Sequence, residues 1–142
     1  QVPPEPGKKP GGAFAERWDR WTTRAPHPEI VSAVYLLEAP GTDAVSSTAL
    51  TAAGATIILF TTGRGTPLGF PAPTLKIASN SALAQRKAGW IDFDAGTVLD
   101  AGFDSAADAL LRLIAATASG AATRAEKNEE RDIAIWKSGV TL

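Results

Sequence analysis

From residue 31 onward, short apolar runs alternate with alanine-rich stretches that end in glycine, and this alternation constrains the fold more than any other feature. Residues 31–37 are apolar and partly β-branched, residues 56–60 read Thr-Ile-Ile-Leu-Phe, and residues 74–78 read Thr-Leu-Lys-Ile-Ala. Each is too short for a helix and is bounded by turn residues, so each predicts a buried strand. Residues 90–93 predict a fourth, short one, and residues 133–136 a late strand. Between them, Thr42 or Asp43 caps a helix running to about Ala53 and stopped by Gly54, and Ser79 or Asn80 caps another that Gly89 closes. Asp104 caps a longer amphipathic helix to about Ala118, with Ala107, Leu110, Leu111, Ile114 and Ala118 on one face and Gly120 as its stop.

Strands apolar on both faces, alternating with helices, predict an α/β fold: a mostly parallel sheet with helices on both faces in a Rossmann-like three-layer arrangement. Ahead of it, residues 1–12 are rich in Pro and Gly and read as a linker. Residues 13–30 hold an amphipathic helix, with Phe14, Trp18 and Trp21 on one stripe, followed by a proline-containing loop. That stripe fits either docking onto the domain's own core or a partner surface. Residues 31–142 form the α/β domain and its C-terminal tail.

Composition narrows the chemistry. The 142 residues carry a formal net charge of -1, no cysteine and one histidine, His27, which lies between prolines. The charge gives no bulk attraction to nucleic acid or to an anionic membrane, and no apolar run approaches a membrane span. Disulfides, thiolate zinc sites, a cysteine nucleophile and any two-histidine metal site within this chain are excluded. With so few of the usual catalytic side chains and no initiating methionine, the chain reads as a fragment of a larger soluble, cytoplasmic protein.

In a parallel sheet, ligands sit outside the carboxyl ends of the strands, which directs attention to residues 38–43, 61–73 and 92–96. The second of these is the most informative: Thr61-Thr62-Gly63-Arg64-Gly65-Thr66-Pro67-Leu68-Gly69. Two glycines around Arg64 let successive amides converge on an anion, Arg64 adds a planar fork for a carboxylate or phosphate, and Thr61, Thr62 and Thr66 supply hydroxyls. The spacing is wrong for a dinucleotide fingerprint, and Pro67, Pro71 and Pro73 oppose a helix there. No Gly-Lys-Ser/Thr ending makes it a P-loop. The bland alternative is an irregular crossover whose Arg64 points to solvent or pairs with a carboxylate such as Asp94. Lys76, inside an apolar strand, needs a partner, a function or a route to water. Asp92 and Asp94 are candidates for a hard cation, or for capping turn amides.

The segments Leu59-Phe60-Thr61-Thr62-Gly63-Arg64-Gly65-Thr66-Pro67-Leu68-Gly69 and Pro73-Thr74-Leu75-Lys76-Ile77-Ala78-Ser79-Asn80-Ser81 resemble the C-terminal region of the altronate and galactarate dehydratase family. So do Ala39-Pro40-Gly41-Thr42-Asp43, Trp90-Ile91-Asp92-Phe93-Asp94-Ala95-Gly96 and the ending Ile133-Ala134-Ile135-Trp136-Lys137-Ser138-Gly139-Val140-Thr141-Leu142. The resemblance implies a hydro-lyase that removes water from a sugar acid to give a 2-keto-3-deoxy acid. It also implies that this chain is the enzyme's C-terminal domain, inactive in isolation. A divalent metal (Fe2+, Mg2+, Mn2+ or Ca2+) is implied for the full-length enzyme, its ligands on other domains and none bound by this fragment alone. The implied partners are the sugar acid, the remaining domains of the enzyme and possible further copies in a homo-oligomer. In this setting Thr61, Thr62, Gly63, Arg64, Gly65, Thr66 and Asn80 are expected to bind substrate, and Lys76 to supply charge or act as a base. Two other readings stay open: a small-acid or nucleotide-binding α/β module without chemistry, and the large-subunit domain of a related sulfo-lyase. Two positions depart from the family pattern: Glu38 stands where a shorter acid is usual, and Glu129 follows Asn128 where glycine is common.

Overall fold

The computed structural model describes residues 41–135. The expected strand at residues 31–37, the tryptophan helix, the linker and Trp136 lie outside the described residues. Within the unit Ala39–Leu142 the elements run α1 (Asp43–Ala52), β1 (Ile58–Thr62), β2 (Thr74–Ala78), α2 (Ser81–Arg86), β3 (Phe93–Asp94), a 3-10 turn (Ala95–Thr97), α3 (Val98–Ala101), α4 (Phe103–Ala118) and α5 (Arg124–Lys127). The fold is α/β, and its three strands pair in parallel in the order β1-β2-β3. Ile58 lies beside Thr74 and Thr62 beside Ala78 in one pair, Ile77 beside Phe93 in the other.

The central strand β2 is buried at every residue, as a strand flanked on both sides must be. β1 differs from expectation. It alternates between buried and open positions, and Leu59 is 48% exposed. Among the described residues it has one neighbour, β2. Its start moves to Ile58, whose amide donates to the Pro73 carbonyl at 2.9 Å, and it runs on through Thr61 and Thr62 because Ile77 and Ala78 pair with them.

The fourth expected strand shortens to Phe93–Asp94. Trp90 instead ends the turn that closes α2 and Ile91 follows it, and both their amides donate to the Lys87 carbonyl. Asp92 then meets β2 in an unusual way: its amide donates to the Lys76 carbonyl, and its carboxylate Oδ2 accepts from the Lys76 amide at 2.8 Å. A side chain thus takes the place that a strand carbonyl would occupy.

Two apolar clusters pack on the sheet. Ile58, Phe70 and Ala72 gather Ala44, Phe60 and Leu68, while Ala78, Leu83 and Ile91 gather Ala84. Asn80 caps α2 as expected, its Oδ1 accepting from the Leu83 amide at 2.9 Å. The long helix α4 corrects two details. Gly102, not Asp104, precedes its first residue, and its covered face is rotated by about one position. Ala106 and Thr117 are buried, whereas Leu111 is 62% exposed. No late strand forms at residues 133–135. The charged stretch before them instead holds α5, opened by a capping box in which Thr123 and Glu126 satisfy each other's amides. Among the described residues no helix is long and apolar enough to cross a membrane.

Candidate functional site

Because all three strands run the same way, their carboxyl ends bring three segments to one rim: Gly63 and Arg64 after β1, Ser79 to Ser81 after β2, and Ala95 to Thr97 after β3. The Ser79 amide donates to the Thr62 carbonyl at 3.0 Å, and a Cβ on Gly63 would lie 3.7 Å from Ser79 Oγ. The backbone of Gly96 presses against Ser81 so closely that a Cβ there would overlap the Ser81 amide. Ser79, Asn80, Ser81 and Gly96 line part of a concavity of ≈ 500 Å³ at this rim. The glycine-rich loop lies beside that hollow as an open ledge, with Gly63 and Arg64 exposed.

The loop is held from beneath by alternate carbonyls. Lys87 Nζ donates to the Gly65 carbonyl at 3.2 Å, Lys76 Nζ to the Pro67 carbonyl at 2.6 Å, and the Asp132 amide to the Gly69 carbonyl at 2.8 Å. Thr62 Oγ1 accepts from the Gly65 amide at 2.8 Å, and Thr66 Oγ1 from the Leu68 amide at 3.3 Å. Gly65 takes φ +75, a conformation that favours glycine, and a Cβ there would press on the Lys87 side chain at 2.7 Å from its Cδ. The amides of Gly63, Arg64 and Thr66 have no acceptor among the described residues, and the Arg64 guanidinium has no hydrogen-bond or ion-pair partner among them. What the ledge offers is therefore donors: open backbone N–H groups, an unpaired guanidinium and the half-exposed Lys87 ammonium, which also lies 4.7 Å above the Trp90 ring. Such a set suits a small anion.

Lys76 is not at the rim. Its side chain is 0% exposed and does not reach water. The ammonium pairs with Glu130 Oε2 at 3.2 Å and holds the Pro67 carbonyl, so the lysine the sequence singled out anchors the loop from below. Thr61 is exposed, Thr62 and Thr66 are turned to the loop's own amides, and the Asn80 carbonyl oxygen is used by its helix cap.

Asp92 and Asp94 serve backbone amides. Asp92 gives one oxygen to the Lys76 amide and the other to the Arg124 amide, each at 2.8 Å, which ties β2 to α5. Asp94 Oδ1 accepts from the Gly96 amide at 2.8 Å and is not the partner of Arg64. Among the described residues no group of three or more His, Cys, Asp or Glu could hold a metal ion, and the donor set does not fit the divalent metal that the resemblance implies.

Sequence reasoning passed over Lys87, Glu130 and Asp132. The two acids lie in a strongly charged stretch, residues 123–132, to which the sequence alone assigns no role. One signal was available: a lysine in the middle of an apolar strand requires a carboxylate from somewhere else in the chain.

Comparison with known proteins agrees with the motifs. Residues 24–141 match the family described as D-galactarate/altronate dehydratase, C-terminal. The chain is 49% identical over 108 residues to an altronate dehydratase of Escherichia coli (strain K12), which covers 75% of this chain and 22% of that protein. It is 47% identical over 109 residues to an altronate dehydratase of Bacillus subtilis (strain 168), with the same two shares. Over 60 residues it is 45% identical to the galactarate dehydratase (L-threo-forming) of Escherichia coli (strain K12), or 42% of this chain and 12% of that one. The chain thus spans 22% of the length of the two altronate dehydratases.

Proposed function

The chain belongs to the D-galactarate/altronate dehydratase C-terminal family, and on that footing we propose that it is the domain of a sugar-acid hydro-lyase that grips the substrate's carboxylate. In the reaction, a proton leaves the carbon next to the carboxylate and hydroxide leaves the carbon beyond it. The enol that remains becomes a 2-keto-3-deoxy acid. As the α-proton departs, negative charge spreads onto the carboxylate as an enediolate, and fixed donors around those oxygens lower the barrier. Arg64 and the open amides of Gly63, Arg64 and Thr66 supply such donors, and Lys87 adds positive charge at Gly65. The proton acceptor and any metal belong to other parts of the enzyme in this reading, since the ledge offers donors and no metal-ligand cluster.

One observation carries the reading: a loop tied down through three alternate carbonyls leaves the amides of Gly63, Arg64 and Thr66 without acceptors among the described residues and Arg64 exposed, at the carboxyl ends of parallel strands. The test is Arg64→Ala in the protein at its full natural length, assayed for 2-keto acid formation from altronate and from galactarate. A lost charge-assisted bond of about 1.5–3 kcal/mol predicts a fall in kcat/KM of about tenfold to hundredfold. Unchanged turnover of both acids removes Arg64 from the site. If neither acid is turned over by the unaltered protein but both bind in calorimetry, the domain is a small-acid binding module instead.

A further inference from the structure

We infer that Glu130, acting through the buried ammonium of Lys76, is a positioning residue for the anion-binding loop, so that the segment after α5 sets how firmly the loop presents its donors. The inference rests on the carboxylate-binding reading for its effect on substrate, but not for its effect on the loop. Three observations support it.

First, Lys76 has no exposure at all, and an unpaired ammonium in that position is costly. Glu130 is the carboxylate that pairs with it, and the pair leaves a second ammonium proton for the Pro67 carbonyl at 2.6 Å. Second, the contact is reinforced two residues on, where the Asp132 amide donates to the Gly69 carbonyl. Gly69 lies so close to the Glu130 backbone that a Cβ on it would overlap the Glu130 carbonyl oxygen. Third, the course of the segment is itself fixed. Glu130 donates its amide to the Ala125 carbonyl at 2.9 Å, and Asp92 holds the Arg124 amide while bonding the amide of Lys76. The chain before Glu130 is therefore tied through Asp92 to the backbone of Lys76 and the chain after it to Gly69 of the loop, and movement at Glu130 reaches Pro67 through the Lys76 side chain.

The test separates positioning from mere stability. Single variants Lys76→Met and Glu130→Leu each leave a charge without its partner, and either can unfold the domain. The double variant Lys76→Met with Glu130→Leu removes both charges, which restores apolar packing but leaves the Pro67 carbonyl without its donor. Hydrogen exchange in the full-length protein should then show the amides of Gly65 and Leu68 exchanging about tenfold faster, with those of Leu75 and Ile77 in β2 unchanged. KM for the sugar acid should rise by a similar factor. Loop exchange equal to that of the unaltered protein overturns the proposal, whatever Arg64→Ala does. Faster loop exchange with KM unchanged keeps the positioning role and removes the carboxylate-binding reading. If the double variant also fails to fold, Glu130→Asp, which keeps the counter-charge but draws it back from Lys76 by one methylene, is read by the same exchange at Gly65 and Leu68; faster exchange at both is required, and exchange equal to that of the unaltered protein overturns the proposal.

Discussion

Glu129 offers a direct test of how the loop's anchor is built. It is the non-glycine residue with a positive φ among those described, at +61, immediately after Asn128, which closes α5. Its side chain is exposed and makes no hydrogen bond among the described residues, so little but the backbone is at stake. Holding an L-residue in the left-handed region costs about 1–2 kcal/mol, and glycine escapes that cost. Glycine also gives the unfolded chain more freedom, which takes back about 0.4–1 kcal/mol. The balance predicts that Glu129→Gly stabilises the domain by about 0.5–1 kcal/mol. For a domain of this size that raises Tm by about 3–6 °C. Thermal and urea denaturation, monitored together, measure it, with Glu129→Ala as the control that removes the carboxylate and keeps the strain. A Tm that is unchanged or lower in Glu129→Gly, or a gain in Glu129→Ala as large as in Glu129→Gly, refutes the backbone account.

Two further substitutions, with Gly89→Ala as a control, probe the packing beneath the ledge. Gly69→Ala forces a methyl against the Glu130 backbone and within 2.8 Å of Ala125 Cβ, and it should cost about 2–4 kcal/mol in urea denaturation; Gly89→Ala, with nothing within 4 Å, should stay within about 1 kcal/mol. Asp92→Ala strands the amides of Lys76 and Arg124 and should destabilise by about 2–4 kcal/mol, with faster hydrogen exchange at both.

Much of this architecture was readable in the residues. Thr74–Ala78 is apolar enough to be a central strand, and the Asn80 cap follows from a polar residue ahead of a helical run. The loop's exit from a strand's carboxyl end follows from topology alone. Other features were hidden for identifiable reasons. Residues 56–60 look doubly buried because an apolar run does not reveal which side chains the rest of the fold covers, and the fold leaves Leu59 open. The face of α4 slipped by one position because alanines on neighbouring stripes are nearly interchangeable in a hydrophobic pattern. Lys76 was legible as anomalous, but its partner lies 54 residues away, and no local pattern links the two. Asp92 and Asp94 look like a metal pair in sequence, yet they are spent on amides whose orientation only the fold defines.

The distance along the chain between the loop and its anchors has a consequence for biosynthesis. As the polypeptide leaves the ribosome, β1, the ledge and β2 emerge first, while the acid that neutralises Lys76 follows 54 residues later and the amide that reaches Thr48 follows 86 later. Until then the lysine lacks its Glu130 partner and the Gly69 carbonyl lacks the Asp132 amide, although Lys87 and Lys76, which hold the Gly65 and Pro67 carbonyls, have already emerged. A nascent chain halted before residue 130 would therefore hold every strand described here and still lack the ion pair at Lys76 and the bond at the Gly69 carbonyl, so the last part of this packing is laid down by the tail.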